Sequence, residues 1–408
     1  MDDDHVEAEQ PLNDTGKRQL KLGIIGLGRA FSLMLPTFRG DGRVALVAAA
    51  DPRSDARQQF TGDFPGKAYE TAEELCADPA VEAVYVATPH QYHARHAILA
   101  AQHGKHLLIE KPLALTLVDC AAISQAARAA SVQLVVGHSH SFNAPIQQLR
   151  ALVQSGAFGA VGMINAINYT DYLYRPRRPE ELDTAQGGGA VFNQAAHQVD
   201  IVRFIAGGEV TSVRAATGAW DRARPTEGAY AALLTLANGA FASLTYNGYG
   251  NFDSDEFEGW IGEMGQSKSP GAGRSRQQFA SAQDEATFKE TRNYGGPHYL
   301  PPPLQGTTQA LTHNHFGTLL VSCEHADLRA VPDGVTIYQR GQARHEKLPP
   351  PAVPRAEVID ELYDAIVHGK APLHDGPWAM ATMEIVLAIL SSAREGRDIT
   401  LRNQVPLR

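Results

Sequence analysis

One pattern near the N-terminus fixes most of what this chain can fold into. A short apolar run, Lys21-Leu22-Gly23-Ile24-Ile25, ends in Gly26-Leu27-Gly28. A helical stretch over 30–39 follows, and a second run from Val44 to Ala50 is closed by Asp51-Pro52. Strand, glycine turn, helix, buried strand and acid in that order make a βαβ unit. The glycines let the backbone turn tightly, so that a pyrophosphate can rest on the free N–H groups of the next helix, where the helix dipole favours an anion. Asp51 is placed to accept hydrogen bonds from the hydroxyls of an adenosine ribose. Phe31 stands where a third small residue usually sits, which puts close packing of helix on strand in question. The plainer alternative is an ordinary βα turn that holds nothing.

The alternation continues. Strands are predicted at 83–87, 106–109 and 133–136, and helices at 55–60, 71–77, 90–103 and 116–130, the last capped by Thr116. The fold class is therefore α/β, an N-terminal Rossmann-type doubly wound parallel sheet with right-handed crossovers. The texture changes near residue 143. A helix over 146–155 is followed by runs at 161–170, 210–217, 230–236 and 240–246, and Asn238-Gly239 between the last two is a hairpin signal. Further strands are expected at 319–322, 327–330 and 335–339, and helices at 194–205, 358–368 and 378–394. This second part reads as an α+β domain with an open, mostly antiparallel sheet. Residues 265–310, rich in Gly, Ser, Gln and Pro, read as a long loop. The expected division is a disordered acidic tail over 1–19, a nucleotide-binding domain over 20–142, and a substrate-binding and oligomerisation domain over 143–408.

The 408 residues suit two or three domains at ~100–200 residues each. Lys plus Arg number 36 against 45 Asp plus Glu, a formal charge of -9, which argues against a nucleic-acid partner. Six of the acids lie among the first fourteen residues, so much of the excess belongs to the tail. Three scattered cysteines, Cys76, Cys120 and Cys323, make neither a disulfide framework nor a zinc knuckle. The start is acidic and no apolar run approaches the ~18 residues that span a bilayer, so a cytoplasmic protein with no membrane partner is expected.

Three further groups follow the glycine turn: Ala87-Thr88-Pro89-His90, Glu110-Lys111-Pro112, and Gly187-Gly188-Gly189 trailed by Asn193, His197 and Asp200. In this order and spacing the chain resembles the Gfo/Idh/MocA oxidoreductases (glucose–fructose oxidoreductase, inositol dehydrogenase and rhizopine-catabolism proteins) from about residue 20 to its C-terminus. The resemblance implies an NAD(P)-dependent dehydrogenase that forms homodimers or homotetramers through the C-terminal sheet. It places Gly26, Gly28, Arg29, Ala30, Phe31, Asp51, Arg53, Thr88, Pro89, His90, His93, Glu110 and Lys111 at the cofactor. NAD is favoured because Asp51 would repel a 2′-phosphate, while Arg53 and Ser54 keep NADP open.

By the same resemblance, Lys111 matches a lysine that contacts the nicotinamide ribose and the substrate hydroxyl. An ammonium beside a carbinol oxygen favours the developing alkoxide. His197 matches the histidine that accepts the hydroxyl proton, a task suited to a group titrating near neutrality. Many relatives carry Asp where this chain has Asn193. An amide accepts no proton, so Asn193 is expected to orient the substrate and leave the base role to His197. Asp200 either orients the imidazole or forms an inter-domain ion pair.

Tyr174, Arg175, Arg177 and Arg178 precede the triple glycine and suit a flat ring bearing carboxylates, unless the arginines simply pair with Glu180, Glu181 and Asp183. His138 and His140 close the last strand of the nucleotide domain and face nicotinamide or substrate; relatives often carry arginine where Ser141 stands. His93 and His96 read as structural, and no metal is expected, since histidines at this spacing drift around a helix. The stretches 26–31, 137–142 and 174–179 resemble the branch of the family that includes phthalate 4,5-cis-dihydrodiol dehydrogenases. That implies oxidation of a secondary alcohol on a carboxylated ring, with a ketone product that tautomerises to a catechol. A sugar or cyclitol dehydrogenase is the alternative, and a catalytically silent nucleotide-binding regulator is the third reading, motivated by Asn193.

Overall fold

The computed structural model describes residues 18–271, 279, 281–301 and 312–407. The expected acidic tail lies almost wholly outside the described residues. Eleven elements build the first body: β1 (Leu20–Ile25), α1 (Arg29–Gly40), β2 (Val44–Ala50), α2 (Ser54–Asp63), β3 (Lys67–Tyr69), α3 (Ala72–Ala77), β4 (Ala83–Val86), α4 (His93–Gln102), β5 (His106–Ile109), α5 (Leu117–Ala129) and β6 (Leu134–Val136). The six strands pair in parallel in the order β3-β2-β1-β4-β5-β6. The strand order reverses between β1 and β4, and such a switch point opens a crevice at the carboxyl ends of the strands. Thr71 caps α3 through a capping box with Glu74, and Thr116 caps α5 by accepting from the Asp119 N–H. β3 escaped the sequence reading because three residues with no buried side chain carry no period.

The second body contains α6 (Ala144–Gln154), β7 (Val161–Tyr169), α7 (Ala196–Ala206), β8 (Val210–Gly218), β9 (Ala229–Leu236), β10 (Phe241–Asn247), α8 (Ala282–Glu290), β11 (Thr318–Cys323), β12 (Asp327–Val331), β13 (Gly334–Gln339), β14 (Gln342–Lys347), α9 (Ala356–Val367), α10 (Gly376–Glu395) and β15 (Ile399–Thr400). Its nine strands run β14-β13-β12-β11-β7-β10-β9-β8-β15. All neighbours are antiparallel except β7 and β10. The Asn238-Gly239 hairpin joins β9 to β10, with Gly239 at φ +88°. The segment read as one long loop over 265–310 instead holds α8, capped by Ser281, whose side chain accepts from the Asp284 N–H. Its polar composition hid a helix of low amphipathicity.

Two cores hold the bodies together. One runs from the α4 and α5 side of the first sheet through α10 and α7 into the second sheet. The other lies on the opposite face of the first sheet, where Val358, Ile359, Leu362 and Tyr363 of α9 pack with Phe31, Phe38 and Tyr85. The last part of the chain therefore returns to cover the nucleotide sheet. Burying each such side chain stabilises the fold by about 1.5–3 kcal/mol. α10 corrects one expectation. Over 18 residues its mean hydropathy is 1.3, long and apolar enough to span a bilayer, but 67% of that window is buried inside the protein.

Candidate active site

The glycine turn lies at the carboxyl end of β1. Gly26 has φ +95°, and a Cβ there would stand 3.0 Å from the Ala87 carbonyl and from the Thr88 methyl, so only glycine fits. A Cβ on Gly28 would meet nothing within 4 Å. No side chain caps α1 and its first turn holds no acid. Free N–H groups and the positive end of the dipole thus open onto space that suits the diphosphate of a dinucleotide. Arg29, exposed, and Ala30 begin the helix there.

Asp51 is buried at the end of β2. Its Oδ2 accepts from the Leu27 N–H at 2.8 Å, and its Oδ1 accepts from the Arg53 N–H at 2.9 Å and Nε at 3.2 Å. A carboxylate has about four acceptor positions; three are taken at short range and the fourth holds only the long 3.5 Å contact from Arg53 Nη2, which a ribose hydroxyl can displace, and the residues present fit NAD. Arg53 is otherwise engaged, which corrects its expected role as a phosphate ligand. Its Nη2 donates to the Leu27 carbonyl at 2.9 Å and its Nη1 to the Tyr294 carbonyl at 3.1 Å. Phe31 is also corrected. It is fully buried, edge-on to Tyr294 at 5.0 Å, so its ring belongs to the core rather than to the nucleotide surface. A residue from the distant 291–299 segment fills the space beside α1, and no local rule could anticipate that.

The next two loops are tied together by histidines. The ring nitrogens of His93 face the Pro112 and Thr88 carbonyls, each at 2.9 Å, and Thr88 Oγ1 lies 3.2 Å from His96 Nδ1. His93 therefore braces the Thr88-Pro89 turn against the Lys111-Pro112 turn instead of touching a cofactor, and His90 packs edge-on to it at 5.6 Å. Buried Glu110 turns inward and accepts from the Tyr85 hydroxyl, and burial raises its carboxyl above the usual range. Lys111 points the other way. Its Nζ donates to the Asn193 carbonyl at 3.1 Å, and burial lowers its pKa.

Asn193 lies in a π-helical turn, Val191–Ala195, that precedes α7. Such turns recur at functional sites. The wider turn breaks the regular helix expected over 194–205. The Asn193 Nδ2 donates to the carbonyls of Gly187 at 3.1 Å and Gly189 at 2.9 Å, so its donors hold the glycine turn rather than a substrate. Gly189 has φ +82°, and a Cβ there would strike Glu227 Oε1 at 2.1 Å. The triple glycine thus makes room for a buried carboxylate that also accepts from the Val191 N–H at 3.1 Å.

His197, on α7, is buried, and its Nδ1 has no hydrogen-bond partner. Its ring stands edge-on to His140 at 4.7 Å and 4.8 Å from Phe316. Burial, and then the nearby charge of Lys111, push its pKa well below the ordinary histidine value, which departs from the near-neutral titration expected of a base and keeps the imidazole neutral. His138 Nε2 and His140 Nδ1 both engage Asn143, at 3.2 and 2.9 Å. The structure thus brings Lys111, His138, His140 and His197 together.

Asp200 is not with them. Its Oδ1 accepts from Trp378 Nε1 at 2.6 Å, and its Oδ2 accepts from the Ser141 hydroxyl and lies 3.8 Å from His374 Nε2. His374 Nδ1 meets Glu361 Oε2 at 2.8 Å. Burial opposes the charged imidazole, but the Glu361 and Asp200 carboxylates outweigh it and raise the pKa. A histidine from the far end of the chain thus stands 2.8 Å from the Ser141 hydroxyl.

The arginine loop is largely paired within itself. Arg178 Nε lies 3.1 Å from Glu180 and 3.3 Å from Glu181, and Arg175 lies 2.8 Å from Asp171 and 3.5 Å from Glu263. Arg177 stacks over the Tyr172 ring at 3.8 Å, and its N–H donates to Glu285 of α8 at 2.8 Å. The Tyr174 hydroxyl donates to Asp221 at 2.7 Å. The acidic residues beside these arginines, visible in the sequence, are what hold Arg178. Sequence reasoning missed Phe316, His374 and Arg355, none of which carries a local motif.

Comparison with known proteins agrees with this geometry. The family model "Oxidoreductase family, NAD-binding Rossmann fold" matches residues 20–138, and the "GFO/IDH/MocA C-terminal domain" model matches residues 146–258. A 1-carboxy-3-chloro-3,4-dihydroxycyclohexa-1,5-diene dehydrogenase from Comamonas testosteroni is 45% identical over 92% of this chain and 95% of that protein. Myo-inositol 2-dehydrogenase from Thermotoga maritima is 29% identical over 48% of this chain and 57% of that protein. A crystal structure of a Bordetella bronchiseptica RB50 protein superposes with a TM-score of 0.87, at 42% identity over 94% of this chain and 100% of that one. This chain is an NAD-binding oxidoreductase and belongs to the Gfo/Idh/MocA family.

Proposed function

We propose that this dehydrogenase oxidises a secondary alcohol of a carboxylated cyclic dihydrodiol. One observation carries the chemistry: the Lys111 ammonium and the unpartnered Nδ1 of neutral His197 belong to one buried cluster at the carboxyl end of the first sheet. Bound NAD supplies the hydride acceptor. Lys111 polarises the carbinol oxygen and favours it as charge develops. His197 takes the hydroxyl proton. Phe316 and His140 flank the imidazole and exclude water from it. The ketone left behind tautomerises to a catechol, and aromatisation draws the reaction forward. The substrate class is supported by the Comamonas testosteroni relative, whose name specifies a carboxylated dihydroxycyclohexadiene.

The test is a substrate panel followed at the nicotinamide absorbance. Carboxylated cis-dihydrodiols should turn over with the highest kcat/KM. Faster turnover of inositols or pyranoses would make it a cyclitol or sugar dehydrogenase, and no turnover with either class would favour a silent regulator.

We infer self-association through the outer face of the second sheet. Ile167 on β7, Leu233 on β9 and Phe241 on β10 are 37%, 46% and 44% exposed on adjoining strands, an apolar patch that suits a second copy. A monomeric mass by light scattering at micromolar concentration would contradict this.

A further inference from the structure

Arg355 stands just before α9 with φ 56° and ψ 27°. A non-glycine residue in the left-handed region costs of order 1–3 kcal/mol and persists where surrounding structure enforces it, often at ligand sites. Its guanidinium has unusual partners. Nη2 meets Met264 Sδ at 3.0 Å and Nη1 meets Met34 Sδ at 3.9 Å. Thioether sulfurs are weak acceptors. In the amide orientation that satisfies both its neighbours, Asn314 accepts from Arg355 Nε at 3.1 Å and donates to the Met264 carbonyl at 3.3 Å. Among the described residues, no carboxylate lies within 4 Å of this guanidinium, whereas Arg175, Arg177 and Arg178 all have one.

The same contacts place Arg355 at the histidine cluster. The Asn314 carbonyl accepts from Asn143 Nδ2 at 2.9 Å, and that amide also engages His140 and His138. His140 stands edge-on to His197. Arg355, Met264, Asn314 and Asn143 line one pocket. Glu110 and Glu263 act on this charge only from beyond 4 Å, so a partly buried cation with no direct anionic partner, reached through one asparagine pair from the histidine cluster, leaves room for an anion supplied by a ligand.

We propose that Arg355 binds the substrate's ring carboxylate through charge-assisted hydrogen bonds from its guanidinium, and so selects carboxylated diols. This rests on the substrate class proposed above. Arg355 thereby takes the role that the sequence suggested for the arginine loop. The arrangement agrees with the electrostatics, because the Arg355 charge is among those that depress the pKa values of His138, His140 and His197.

The test compares wild type with Arg355→Gln, Arg355→Lys and Arg355→Gly. Glycine relieves the left-handed backbone and so controls for folding. With a carboxylated cis-dihydrodiol, Arg355→Gln should raise KM about 10- to 100-fold, the value of a hydrogen bond to a charged group, and Arg355→Lys should recover part of it. With the same ring lacking the carboxylate, KM should move less than about twofold. Equal rises with both diols would mean a merely structural role and overturn the proposal, as would no rise at all. Loss of NADH binding, read by fluorescence titration, would assign the guanidinium to the cofactor's phosphates and also overturn it. Benzoate, with NADH present, provides a readout independent of turnover. It should raise the Tm of wild type and not of Arg355→Gln or Arg355→Gly. If wild type oxidises no dihydrodiol yet shows this Arg355-dependent shift, the substrate reading fails and the carboxylate site stands. A benzoate shift equal in wild type and variants removes the site whatever the substrate.

Discussion

The Lys111 ammonium donates to the Asn193 carbonyl across 3.1 Å, joining the end of β5 to the π-helical turn before α7. One cation therefore serves both bodies of the protein at the crevice between them. Among the described residues the bond to Asn193 is the one hydrogen bond of the ammonium, so in the proposed reaction two N–H groups are left for a substrate hydroxyl.

Lys111→Ala and His197→Ala should each lower kcat about 100- to 10,000-fold. NAD affinity should stay largely intact in His197→Ala, because the turn at Gly26 and Gly28, which suits the diphosphate, does not involve His197. The double variant should lose little more than either single one, since both groups act on one oxygen. Steady-state kinetics with NAD titration checks all three. Additive losses would separate their roles.

Asn193→Asp should damage the enzyme rather than restore a lost base. The amide donates to two glycine carbonyls, and a carboxylate would face those oxygens with no proton to give. Losing two hydrogen bonds costs about 1–3 kcal/mol in total, so Tm should fall together with kcat. Thermal denaturation and rate measurements decide it. A several-fold rise in activity would return the base role to a carboxylate at this position.

NAD should be preferred to NADP by at least about tenfold in kcat/KM, or 1.4 kcal/mol. Asp51 is buried at the ribose end and would repel a 2′-phosphate. Arg53, the neighbouring cation that could offset this, is held by Asp51 and the carbonyls of Leu27 and Tyr294. Parallel kinetics with the two cofactors measures the ratio.

How far the sequence could be read depends on whether a residue's partners are local. The glycine turn, the Asn238-Gly239 hairpin and the cap at Thr116 are short-range devices, and each stands where spacing placed it. Lys111 and His197 were singled out by their motifs, and the proposed reaction rests on both. Phe31 was misjudged because its packing partner, Tyr294, is more than 260 residues away. The local alternative for the arginines was legible, since Glu180 and Glu181 hold Arg178 and Asp171 holds Arg175, whereas Glu263 and Glu285, which also meet Arg175 and Arg177, come from distant segments. His374 and Arg355 carry no motif, and only the return of the chain around α9 and α10 brings His374 against Asp200 and Arg355 against Asn314.

His374 gives stability a pH dependence of definite sign. Its pKa is raised above the ordinary 6.5 by Glu361 and Asp200. The imidazolium pair contributes fully below about pH 6.5, and the contribution fades as pH rises through the folded value. His374→Gln should therefore lower Tm most at pH 6 and progressively less above neutrality. Losing one member of a buried pair costs about 3 kcal/mol or more. A Tm difference that grows with pH would contradict the assignment.

The most direct measurement uses a carboxylated cis-dihydrodiol deuterated at both carbinol carbons and wild-type protein with NAD. Oxidation assisted by Lys111 and His197 predicts one catechol and one reduced cofactor per turnover, with one deuterium on the nicotinamide ring. Catechol formation without deuterium on the cofactor, or no reduced cofactor from any carboxylated diol, would contradict it.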